Sequence, residues 1–215
     1  MRSVIAFDMD GVLVDSRSSI IQSLNATLVR WGFPEVNSDQ SSLIGLPLRE
    51  MIRTASKDRM VEEQVNIAVS IYRQLNDELG PKTTTIFPDM SLVLSKLALK
   101  NDLIVVTSKL QSSASKLLRS LNLNKFFVEI FGPETDDSTE KKSETLGRAE
   151  KFYQERTAHY SKIIALVGDR ASDISAARLA GISAVAAKWG YGSQHELETA
   201  DFVADSPKQL LEFFA

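Results

Sequence analysis

The sequence predicts a doubly wound α/β fold, a Rossmann-like parallel sheet, with a small helical domain inserted after the first strand. Three observations carry this. Short apolar runs alternate with stretches of helical spacing through most of the chain; the alternation stops between about residues 17 and 81, where only helical spacing remains; and carboxylates and hydroxyls recur directly after the apolar runs. Alternating strand and helix means parallel strands joined by right-handed crossovers, with helices on both faces. Ligands in such sheets bind outside the carboxyl ends of the strands, where these polar residues fall.

The first run, VIAF at residues 4–7, is short and wholly apolar, as a strand buried on both faces must be. Similar runs follow at 103–107, 127–131, 163–167 and 182–186. Between them, residues 89–100, 110–121, 142–158 and 171–180 have the length and spacing of helices. In the inserted region, 18–31, 48–55 and 58–79 place apolar residues at helical spacing, with Ile20, Leu24 and Leu28 in the first and Val61, Val65, Ala68, Tyr72 and Leu75 in the last. The segment GPKTTTIFPD has the Gly, Pro and Thr content of a linker. The expected division is therefore residues 1–15 with 84–215 as the α/β core and 16–83 as the helical domain. ETDDSTEKKSE reads as a charged surface loop leading into a helix.

Composition narrows the function. A chain of 215 residues with 43% hydrophobic content can bury a substantial core. A net charge of -3, with no Lys/Arg cluster free of acidic neighbours, gives no nucleic-acid or polybasic membrane footprint. No cysteine means no disulfide and no thiolate metal site. No apolar run approaches a membrane span, and the first one is too short for a signal peptide, so the expected location is the cytoplasm.

The chemistry begins where VIAF ends in Asp8 and Asp10. Residues two apart on an extended chain project to the same side, so two like charges share one small volume. That costs energy unless a cation or a proton sits between them. Thr107 and Ser108 follow the second run, and Gly168 and Asp169 follow the fourth, with Asp173 four residues on. Hard carboxylate oxygens in this number suit Mg²⁺, which is held by a few carboxylates together with substrate phosphate. Phosphoryl transfer needs mainly positioning and charge compensation, for which Thr107, Ser108 and Lys141 or Lys142 are candidates. Gly11 lets the backbone turn and approach a ligand closely.

Each residue also has a plainer reading. An isolated Asp-x-Asp is usually a turn, a strand-end Thr can be a cap, and a Lys at a helix start is commonly only solvated. It is the three strand ends together that favour catalysis. His159 and His195 read as surface residues, Trp189 and Tyr191 as packing near the sheet edge, and Arg170 as a structural ion-pair former.

FDMDGVLVDS resembles the first motif of the haloacid dehalogenase superfamily, VVTSK the second and VGDRASDISAARLAGI the fourth. KWGYG and ADFVADSPKQLLEFF are similar to the tail of its phosphoglycolate phosphatase and β-phosphoglucomutase branch. The resemblance implies that the inserted helices are a cap and that the substrate is a small phosphate ester. It implies Asp8 as a nucleophile forming an aspartyl-phosphate, and Asp10 as acid and base, with its backbone carbonyl in the Mg²⁺ shell. Thr107 would bind a phosphate oxygen, Lys142 or Lys141 would neutralise nucleophile and phosphate, and Asp169 would hold Mg²⁺ with Asp173 as ligand or support. Arg49, in IGLPLRE, falls where related caps touch substrate. Lys142 is followed by Ser143 where these relatives usually have Pro, Ser108 stands where Asn is frequent, and Asp89 where Gly is often found. A Mg²⁺-dependent phosphatase is the first reading, a sugar phosphomutase of the β-phosphoglucomutase kind the second, and a receiver-like or non-catalytic protein the third.

Overall fold

The computed structural model describes residues 2–37, 43–135, 140–156 and 162–215. Its centre is a six-stranded sheet in which every neighbouring pair is parallel. The strands are β1 (Ser3–Phe7), β4 (Asn101–Val106), β5 (Glu129–Phe131), β6 (Ile163–Gly168), β7 (Ser183–Ala187) and β8 (Phe202–Ala204), in the order β5-β4-β1-β6-β7-β8. β1 lies in the middle, with β4 on one side and β6 on the other. Strand order therefore reverses beside β1, and a crevice opens at the carboxyl ends of these three strands.

Alternation along β1 divides the core into two layers. Ile5 and Phe7 face one side and pack with Val93 and Leu94 of α4 (Met90–Leu97), Leu117 and Leu118 of α5 (Gln111–Ser120) and Leu210 of α9 (Gln209–Phe213). Val4 and Ala6 face the other, against Leu146 and Ala149 of α6 (Lys142–Arg156) and Ile174 and Ala177 of α7 (Ala171–Leu179). Val4, Ile5, Ala6 and Phe7 are fully buried, which is why the run after Ser3 contains no polar residue.

The inserted helices are α1 (Arg17–Val29), α2 (Leu48–Ala55) and α3 (Glu62–Thr83). They bury a cluster of their own that includes Ile20, Leu24, Leu28, Met51, Ile52, Val65, Ala68 and Tyr72. A two-residue antiparallel pair connects them to the sheet: β2 (Val14–Asp15) and β3 (Thr85–Ile86), with Val14 opposite Ile86.

Several expectations need correction. α3 starts at Glu62, with Val61 as its exposed N-cap, and runs on through Gly80 and Pro81 to Thr83, so the first four of the ten expected linker residues are helix. Pro81 has no amide to donate to the carbonyl of Asp77 one turn back, so the last turn of α3 is held with one bond fewer, and Gly80 packs close to Leu117, where a side chain would meet Leu117 Cδ1 at 3.6 Å. The tail also adds β8, α8 (Gln194–Leu197) and α9, which the periodicity did not reveal. Part of the charged loop, residues 136–139, and His159 lie outside the described residues. Among the described residues no helix is long and apolar enough to cross a membrane.

Asp89 takes φ +63, in the left-handed region, before α4 begins. Glycine adopts that backbone without the Cβ clash, so the departure at this position has a cost. Asp89→Gly is expected to raise stability by about 0.5 kcal/mol. Its ion pair with Lys208 at 2.9 Å is too exposed to reverse the sign. Urea unfolding of the two proteins side by side measures this.

Candidate active site

Asp8 stands one residue past β1, where its N–H still donates to Val167 O at 2.8 Å and so keeps the ladder geometry. Its Oδ1 lies 2.7 Å from Lys142 Nζ. The same ammonium is 2.9 Å from Asp173 Oδ1 and donates to Val106 O at 3.2 Å. The ammonium thus sits within ion-pair distance of two carboxylates, although Asp173 Oδ1, like Asp169 Oδ1, has no hydrogen-bond partner among the described residues. Lys142 is buried at the first turn of α6, whereas Lys141 beside it is exposed, so the structure brings Lys142 and not Lys141 to the cluster.

Asp169 follows β6 directly and is fully buried. Its Oδ2 accepts the Tyr191 N–H at 2.7 Å, while its Oδ1 has no hydrogen-bond partner among the described residues. Asp173, in the first turn of α7, accepts the Arg170 N–H at 3.0 Å through Oδ2. One oxygen each from Asp8, Asp169 and Asp173 lies within 4.8 Å of the others. Three buried carboxylates share one buried ammonium, which would leave two negative charges uncompensated with all three ionised. That surplus, with the orphaned Asp169 oxygen, is what a divalent cation would satisfy.

The electrostatics agree. Burial pushes the Asp8 carboxyl up to about 6, against the pull of Lys142 and with a further push from Asp173. Burial raises Asp169 well above the carboxylate range, with Asp173 and Asp8 adding to it. Burial alone would lower Lys142, but Asp173 and Asp8 outweigh it and hold the ammonium above its usual value. The lysine therefore stays charged, and the excess carboxylates bear the cost of crowding.

Asp10 is arranged differently. Its Oδ2 lies 3.1 Å from Lys109 Nζ, and its Oδ1 is buried without a hydrogen-bond partner among the described residues. Lys109 also donates to Asn76 Oδ1 of α3 at 3.2 Å, tying the helical insertion to the sheet end. Thr107 is buried after β4, where its hydroxyl accepts the Lys109 N–H at 3.2 Å. Asp8, Asp10, Thr107, Ser108 and Lys142 line one cavity whose roof includes Leu48, Met51, Tyr72, Arg73 and Asn76 from the inserted helices.

Two expected contacts do not fall in that cavity. Gly11 has φ +86, and a Cβ there would meet Asp169 Oδ2 at 2.2 Å, so its missing side chain makes room for Asp169. Its amide is spent on Val14 O at 2.9 Å, which leaves no donor for a ligand. Arg49 turns to Glu62 and donates to Asn66 Oδ1 at 2.8 Å; Arg73 lines the cavity instead. Sequence reading also missed Lys109 and Asn76. For Asn76 a signal existed: it is a polar residue one turn beyond Tyr72 on the buried face of α3, and it is buried. Arg170, read as an ion-pair former, pairs with Glu196 at 3.0 Å and also donates to Ile44 O of the insertion.

The profile of haloacid dehalogenase-like hydrolases matches residues 5–187, which contain Asp8, Asp10, Asp169, Asp173 and Lys142. The chain belongs to that family. Its relatives include a phosphoglycolate phosphatase from Aquifex aeolicus, 30% identical over 211 residues, covering 97% of this chain and 95% of that protein. The tyrosine-protein kinase PtkA of Mycobacterium tuberculosis is 30% identical over 202 residues, covering 93% of this chain; the chain spans 65% of its length. Among solved structures, a haloacid dehalogenase-like hydrolase from Streptococcus pneumoniae superposes with TM-score 0.85 at 28% identity, over 100% of this chain and 99% of that one. As a member of the family, the chain combines the doubly wound sheet with helices inserted between β2 and β3.

Proposed function

We propose that the protein is a Mg²⁺-dependent phosphatase of small phosphomonoesters, working through an aspartyl-phosphate on Asp8 beneath a cap formed by residues 16–83. The observation that carries this reading is the cluster of Asp8, Asp169 and Asp173 around Lys142, facing a cavity roofed by inserted helices. The likeness to a phosphoglycolate phosphatase along nearly the full length of both chains supports the substrate class.

Asp8 attacks phosphorus through a carboxylate oxygen, forming an O–P bond as the ester P–O bond breaks. Asp10 gives a proton to the departing alkoxide; it then takes one from the water that hydrolyses the aspartyl-phosphate, so the proton returns and inorganic phosphate leaves. Lys142 stays charged and offsets the charge of nucleophile and phosphoryl group. Thr107 and Ser108 offer hydroxyls to the phosphoryl oxygens. Bound by Asp8, Asp169, Asp173 and the backbone carbonyl of Asp10, Mg²⁺ would supply further charge neutralisation. Lys109 and Asn76 position the Asp10 carboxylate, and the cap excludes bulk water.

Phosphate release is the direct test, with p-nitrophenyl phosphate, phosphoglycolate, glucose 1-phosphate and nucleoside monophosphates as substrates, with and without Mg²⁺. Release that requires Mg²⁺ and favours one alkyl ester is the expected result. Interconversion of sugar phosphates faster than phosphate release would replace the phosphatase with a mutase. A phosphoprotein that accumulates without turnover would replace both with a signalling role.

A further inference from the structure

The turn after β7 reads Trp189-Gly190-Tyr191-Gly192, and it is pressed onto Asp169. A Cβ at Gly190 would lie 2.3 Å from Asp169 Cβ, and one at Gly192 would lie 1.9 Å from Asp169 O. Only a chain without side chains at both positions comes so close. The approach sets the Tyr191 N–H at 2.7 Å from Asp169 Oδ2. Trp189 Nε1 donates to Val12 O at 3.0 Å and pins the same turn to the loop after β1.

The Tyr191 side chain points the other way. Its ring is buried in the apolar cluster of the inserted helices, although the residue belongs to the core sheet. The hydroxyl donates to Asp15 Oδ1 at 3.0 Å and accepts the Ser16 N–H at 2.8 Å, and the Arg17 guanidinium lies 5.1 Å from the ring centre. Asp15 ends β2 and Ser16 is the N-cap of α1, so these bonds fall on one of the two chain crossings between sheet and insertion. One residue therefore holds a carboxylate of the cluster through its backbone and the hinge through its side chain.

We propose that Tyr191 is a positioning residue that couples cation binding at the carboxylate cluster to the hinge of the inserted helices. The inference rests on the phosphatase reading above and adds to it how the same site is regulated. Asp169 has one oxygen committed to Tyr191 and the other buried and unpartnered. A cation held by the free oxygen would further restrain the carboxylate and, through the bond to Oδ2, the Tyr191 backbone. The buried ring and hydroxyl carry that restraint to Asp15 and Ser16. Linkage makes the effect reciprocal: a hinge held in this geometry favours the cation by the same factor.

The test uses the full chain and two readouts, calorimetry for Mg²⁺ affinity and residue-resolved amide hydrogen exchange at positions 14–17 and 84–86. In the wild type, Mg²⁺ is expected to slow exchange at the hinge about fivefold or more. Tyr191→Phe keeps the backbone N–H and so keeps a Mg²⁺ site, weakened by no more than the coupling factor, but the hinge amides no longer respond to it. Asp15→Ala cuts the same link from the hinge side and gives the same loss, which guards against a defect peculiar to one variant. A merely structural tyrosine would change exchange equally with and without Mg²⁺. If wild type binds Mg²⁺ and its hinge does not respond, or if Tyr191→Phe responds as wild type does, the coupling is overturned and the phosphatase reading stands. Calorimetry showing no Mg²⁺ binding to wild type overturns both.

Discussion

Asp8→Asn is expected to lower kcat/KM for every phosphomonoester by on the order of 10⁴-fold or more, with the fold intact. The amide nearly matches the carboxylate in shape, so the contact with Lys142 survives in weakened form while the nucleophile is gone. Uniformity across substrates is the informative part. A residue that only shaped the cavity would affect alkyl esters and p-nitrophenyl phosphate unequally, whereas the nucleophile is common to all. Phosphate release with circular dichroism as the folding control decides it, and a variant retaining a tenth of wild-type activity would sink the assignment. Lys142→Met is a poorer probe. It strips three buried carboxylates of their shared ammonium, and breaking buried pairs of this kind costs about 3–5 kcal/mol, so lost activity would be confounded with lost structure.

What the sequence revealed of this site follows from how each residue reaches it. Asp8, Thr107 and Asp169 stand directly after strands that are apolar on both faces, and such runs are visible without any knowledge of contacts. Asp173 is fixed to Asp169 by one turn of α7, a local relation that spacing conveys. Lys109 lay inside a motif that was read, but its role depends on Asn76, 33 residues away on a helix whose docking angle no periodicity encodes. Arg49 and Arg73 show the same limit. Both are cationic residues on inserted helices, and only packing decides that Arg49 turns to Glu62 and Asn66 while Arg73 lines the cavity. β8 was missed because three residues at a sheet edge, with Val203 partly exposed, carry too little pattern to separate a strand from a loop.

The charge surplus that serves the chemistry should also be measurable as a weakness of the metal-free fold. Burial raises Asp8 from an ordinary 3.8 to about 6, so the folded state holds that proton more tightly than the unfolded chain does. A group whose folded pKa is raised in this way favours the fold at low pH and withdraws that support as pH climbs through the interval between the two values. Asp169 is shifted in the same direction by burial and by the same neighbours. Asp77 and Glu196 are shifted downward, Asp77 by Lys116 and Ser113 and Glu196 by the Ser193 amide and Arg170, each against a burial penalty. Their contribution has the opposite sign and is complete above about pH 5, so it does not mask the loss. In chelator, wild type is therefore expected to be less stable at pH 7.5 than at pH 5. Asp8→Asn, which carries no charge to bury, should gain on wild type by on the order of 2 kcal/mol at pH 7.5 and much less at pH 5. Mg²⁺ should reverse the order at pH 7.5, because it stabilises the wild-type cluster by mass action and finds a weaker site in the variant. Thermal unfolding at the two pH values, with chelator and with Mg²⁺, reads all of these differences. A wild type that is more stable than Asp8→Asn at pH 7.5 in chelator would mean that Lys142 alone balances the cluster, and the electrostatic case for a divalent cation would fall.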